Sequence, residues 1–124
     1  YRFINALYEN FSDDFMFVPN VKVGNLISIF GNPDEVDSNV LKSTIDVGIF
    51  LKETMKPLVM VDLVSRENPN KELAKAKNET LTAIKKLSIA VCEVVTENVY
   101  DGAKLKQELL KLMPADIKKK YSKD

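Results

Sequence analysis

No histidine occurs in this 124-residue chain. That removes the commonest general base at neutral pH, the usual partner of a catalytic serine or cysteine, and the commonest metal ligand. A single cysteine, Cys92, excludes an internal disulfide and makes a zinc site implausible. It sits among Ala90, Val91, Val94 and Val95, where a buried, inert thiol is expected. The four glycines, Gly24, Gly31, Gly48 and Gly102, are isolated and match no phosphate-binding spacing. Tryptophan is absent and arginine occurs twice, which argues against direct reading of bases. No apolar run approaches the roughly 20 residues of a membrane span, and Tyr1–Asn5 does not resemble a signal peptide. No catalytic, cofactor-binding or metal-binding residues are assigned, and a non-enzymatic protein is expected.

What is present is an ordinary globular composition, 45% hydrophobic and 29% charged. One domain over residues 1–124 is expected. Because the chain starts at Tyr1, it is expected to be an excised or processed piece of a longer one. Cysteine usage points to a reducing, cytoplasmic setting. The zero net charge hides an asymmetry of −4 over residues 1–68 and +4 over residues 69–124.

The dominant pattern lies between Asn68 and Val99. Asn68-Pro69 is an N-cap and first-position pair. Leu73, Ala76, Leu81, Ile84, Leu87, Val91, Val94 and Val95 then follow at mostly helical spacing. This predicts one long amphipathic helix over 69–99, with Gly102 as its C-terminal stop. A second Asn-Pro start at Asn32-Pro33 predicts a helix over 33–64, kinked at Pro57. Short helices are expected over 3–11 and 104–113, with a further turn or two after Pro114. The fold expected is therefore all-α, a compact bundle of four to six helices around a long antiparallel hairpin. The alternative is a small α/β unit with a short sheet from residues 21–30 and 58–64. Such a two-stranded sheet is marginal by itself, which favours the helical reading.

Functional candidates are few. Phe3, Tyr8, Phe11, Phe15 and Phe17 concentrate aromatic surface in the first 17 residues and are the candidate partner-binding set. Lys104, Lys106, Lys111, Lys118, Lys119 and Lys120 are the candidate polyanion-binding set, although three consecutive helical lysines point about 100° apart. Asp13, Asp14, Asp34, Glu35 and Asp37 read as turn and helix-start residues. Asp62 lies inside an apolar run. It would be costly if buried without a partner, so it is expected to face outward or to pair with a lysine. Asp46 has the same explanation.

Residues 109–120 resemble the end of viral helical RNA-binding transcription factors over a dozen positions built from generic helix signals, and no family assignment follows. The function expected is a non-catalytic protein-interaction, oligomerisation or structural module, with no cofactor. Nucleic-acid binding through the basic C-terminal half is the alternative. A carrier of an apolar ligand held between helices comes third.

Overall fold

The computed structural model describes residues 2–64 and 71–121. It is a mixed α/β fold and not a helical bundle. Helix α1 (Arg2–Asn10) leads into strand β1 (Phe15–Lys22), and α2 (Val23–Phe30) follows directly. A 3-10 turn (Pro33–Glu35) and the short α3 (Ser38–Leu41) then precede the hairpin β2 (Thr44–Leu51) and β3 (Pro57–Val64). Helix α4 (Lys71–Lys85) crosses over to β4 (Ala90–Val95), and α5 (Gly102–Lys111) and α6 (Ala115–Tyr121) complete the described chain.

The strands form one sheet in the order β1-β2-β3-β4. The first three pair antiparallel, whereas β3 and β4 run parallel, joined through α4. Two hydrophobic layers enclose this sheet. On one face α1, α5 and α6 cover Phe15, Phe17, Val47, Ile49, Val59 and Val61. On the other, α2, α3 and α4 cover Val21, Ile45, Phe50 and Met60. Among the described residues, no helix is long and apolar enough to cross a membrane.

The helical hairpin expected over 33–64 and 69–99 is therefore corrected in both arms. The Asn32 side chain does cap, accepting from the Asp34 backbone N–H at 3.0 Å, but what it starts is a single 3-10 turn. Asp37 caps the next short helix by accepting from Asn39 N–H at 2.8 Å. Beyond it the β-branched, apolar segments 44–51 and 57–64 form strands. Buried strands covered on both faces lose the alternation that would announce them, and Pro57–Asp62 is buried without a break.

The second arm stops at Lys85. Ser88, with φ 63°, turns the backbone, and the valine-rich stretch that reads as a continuing helix is β4. The expected start at Asn68-Pro69 lies outside the described residues. Gly102 is not a stop but the first residue of α5, whose N-cap Asp101 accepts from Lys104 N–H at 3.2 Å. The α/β alternative has the right class but the wrong pairing. Residues 23–30 are helix α2, and the strand over 57–64 lies between β2 and β4.

Gly48 occupies the centre of β2 between Val18 and Met60. A Cβ there would stand 2.7 Å from the Phe50 ring and 2.8 Å from the Val21 side chain. Its bareness lets these side chains close over the sheet.

Pro57 begins β3, a position where a missing N–H is tolerated. Pro57→Ala should therefore leave the helical circular dichroism signal unchanged. A rise in helicity would restore the kinked-helix reading.

A carboxylate pair and its lysine

The sheet registers carry Asp46 of β2 and Asp62 of β3 side by side. Val47 pairs with Val61, and the next step outward along the antiparallel ladder is Asp46 opposite Asp62. Asp62 shares the face of Met60, the face roofed by α4, and is fully buried. Among the described residues its cation is Lys77 of α4, whose Nζ lies 2.7 Å from Asp62 Oδ1 while 43% of the lysine side chain remains exposed. The contact is an ion pair rather than a well-aligned hydrogen bond, and Oδ2 has no hydrogen-bond partner of ordinary geometry.

Asp46 is held differently. Its Oδ2 accepts from the backbone N–H of Leu63 at 2.7 Å. Val47↔Val61 is the last paired position before this end of the hairpin. The side chain thus replaces a main-chain acceptor where the two strands part, and it is fixed in place by that bond.

Electrostatically the site is strained. Burial pushes the Asp62 carboxyl up to about 6 from its ordinary 3.8, and the facing Asp46 adds to the rise. Lys77 opposes both without cancelling them. The parallel register also sets Glu93 of β4 opposite Asp62, with its side chain exposed. Three carboxylate-bearing residues are thus aligned across three strands. Beside Lys77, a hollow of about 260 Å³ is lined by Asn39, Ser43, Thr44, Glu79 and Thr80. The buried Thr80 hydroxyl donates to Ala76 O at 3.1 Å and lies 3.1 Å from Ser43 Oγ. Lys77 thus borders a solvent-open hollow whose walls are mainly apolar, with Asn39, Ser43, Thr44 and Glu79 as its polar residues.

The expected outward or lysine-paired state of Asp62 is resolved as the paired one. What sequence reasoning misses is that Asp46 and Asp62 belong together, because no strand pairing joins them in the helical reading. The signal is present as two acids, each embedded in an apolar β-branched run.

The other candidates lie elsewhere. Phe3, Phe11, Phe15 and Phe17 are buried between α1, the sheet and the C-terminal helices. Of that set only Tyr8 is open, at 55% exposure, with its ring edge-on to Phe17 at 4.8 Å. Lys104, Lys106 and Lys111 sit on α5, and Lys118, Lys119 and Lys120 on α6, the layer on the opposite side of the sheet from Asp62. Lys120 stacks over the ring of Tyr121, 5.3 Å from its centre.

Cys92 is half-buried, and desolvation, with Glu108 and Glu93 nearby, raises its thiol pKa, which keeps it protonated. No group of three or more histidine, cysteine, aspartate or glutamate side chains converges among the described residues. No family model, curated protein or solved structure matches this chain.

Proposed function

We propose that Asp46, Asp62 and Lys77 form a site for a divalent cation and a phosphate group, and that the domain acts on the phosphodiesters of a nucleic acid. The observation that supports this is the pair of adjacent-strand carboxylates, one of them fully buried and paired with Lys77. A buried ion pair is a poor stabilising device. Hydrophobic side chains of the same volume do as well or better. Ionisable groups with perturbed pKa and a specific charge partner are over-represented at functional sites.

The donor set favours one class of ion. Magnesium keeps several waters and is bound by one or two carboxylates, with substrate phosphate completing the shell. Two aspartates are therefore sufficient, and a larger protein cage is not required. Lys77 then has two roles in succession. Without a cation it neutralises Asp62. With a cation on the two carboxylates, the Lys77 ammonium would no longer be needed to neutralise Asp62 and could hold a phosphate oxygen. The site also lies toward the carboxyl end of β3, at a β-α-β crossover, the side of a parallel pair on which ligands commonly bind.

This replaces the expected C-terminal lysines with a site beneath α4, and it departs from the expected non-catalytic module. Manganese titration by calorimetry, together with hydrolysis of labelled single- and double-stranded oligonucleotides, tests it. Asp46→Asn should abolish both cation binding and cleavage. Lys77→Ala should lower cleavage yet preserve or tighten manganese binding, because a competing cation has been removed. Folded protein that takes up no manganese, or Asp46→Asn that binds it as well as the parent, would overturn the proposal.

A further inference from the structure

Two clefts away from the carboxylate pair share a ridge. The first, of about 560 Å³, lies between α2 and α4. Glu35, Asp37 and Glu79 line it against a single cation, Lys86. The second, of about 630 Å³, opens at the start of β3 and β4. Its charged lining residues are Lys56 and Lys85, and its floor includes Leu58, Ile89 and Leu112. Phe30 and Leu87 line both. The ridge is thus apolar, with a net −2 flank on one side and a net +2 flank on the other.

Within the ridge Phe30 is the exposed member, whereas Leu87 is half-buried against the core. Phe30 is 47% exposed, and Leu112, in the second cleft beside it, is 40% exposed. Gly31 follows Phe30 so closely under the α4 turn that a Cβ there would meet Leu87 Cδ2 at 2.5 Å, and Gly31 N–H donates to Ile27 O at 2.8 Å. The ends of α2 and α4 thus lie in close contact, with the Phe30 side chain facing solvent and Leu87 packed beside it.

We infer that this ridge is the two-fold contact of a homodimer. A surface with equal and opposite charges on either side of an apolar centre is complementary to itself. Rotating a second copy by 180° about Phe30 sets the acidic flank of each chain against the basic flank of the other, twice. The centre supplies apolar burial, and the flanks supply orientation and steering. A basic peptide would match only the first cleft, and an acidic amphiphile only the second. A second copy answers both.

Sedimentation equilibrium from about 10 µM to about 1 mM covers the range expected of a modest interface. A closed monomer–dimer equilibrium is expected. Reversing the acidic flank (Glu35→Lys with Glu79→Lys) or the basic flank (Lys56→Glu with Lys85→Glu) should each weaken association at least about tenfold. All four side chains are exposed, so the fold should survive, which circular dichroism checks. An equimolar mixture of the two reversed proteins should regain parental affinity, since both cross-pairs are again opposite in sign. Phe30→Asp should give a folded monomer. A chain that stays monomeric throughout, a dimer indifferent to both reversals and to Phe30→Asp, or open-ended growth with concentration would each overturn the inference.

Discussion

Asp62→Asn should make the domain more stable above pH 6 while removing its affinity for divalent cations. In the fold the Asp62 carboxyl binds its proton up to about pH 6, whereas an ordinary aspartate releases it near 3.8. Between those values the folded chain holds more protons than the unfolded one. Parental stability therefore falls as pH rises through that window and stays lowered above it. Asparagine does not titrate, so the variant should lack this decline. The gain above pH 6 should be about 1 to 3 kcal/mol, since each tenfold change in proton affinity is worth about 1.4 kcal/mol. Lys77, already 43% exposed, returns to water without a large penalty. Urea melts of both proteins at pH 4 and pH 7 check it. A variant destabilised at pH 7 would show that Asp62 is held by its ion pair and serves the fold instead.

Ile84→Ala should be among the most damaging single truncations. The side chain is fully buried beneath α4, packed with Leu81 and Met60 over the sheet. Loss of a buried isoleucine to alanine costs about 2 to 5 kcal/mol, against a total of roughly 5 to 15 for a domain. The melting temperature should fall by about 10 °C or more. Lys85→Ala, one residue on and exposed, should stay within about 0.5 kcal/mol. Thermal melts of the pair decide whether α4 presents the assigned face to the sheet.

That face is legible in the sequence, as are α1 and α5, because amphipathic helices repeat their apolar positions at a spacing strands do not share. The sheet is not. Residues 57–64 are apolar at nearly every position, so neither period stands out, and the choice turns on whether a strand there has partners. Residues 21–30 offer it one doubtful neighbour. Its real neighbours are hidden inside the two segments that read as helices, residues 44–51 and 90–95. Asp46 and Asp62 show the same dependence, since two acids 16 residues apart form a site only once β2 and β3 are paired. The density of β-branched residues in 89–95 and the proline at 57 are the available clues. Helical spacing at Leu81, Ile84 and Leu87 outweighs them, because Val91, Val94 and Val95 happen to continue it past the turn at Ser88.

The layer formed by α1, α5 and α6 joins parts of the chain that are made at different times. Tyr121 donates its hydroxyl proton to Asp14 Oδ2 at 2.7 Å across 107 positions, and the Arg2 guanidinium reaches Asn98. At roughly 5 to 20 residues per second, ribosomal synthesis separates these partners by roughly 5 to 20 s. During that interval Phe3, Ile4 and Leu7 have no C-terminal helices to cover them. The opposite layer, α2, α3 and α4 against the β2–β3 hairpin, is complete well before. Until α5 and α6 have been made and released, the apolar face of α1 accordingly stays uncovered, and chaperones that seek exposed phenylalanine would find their target there.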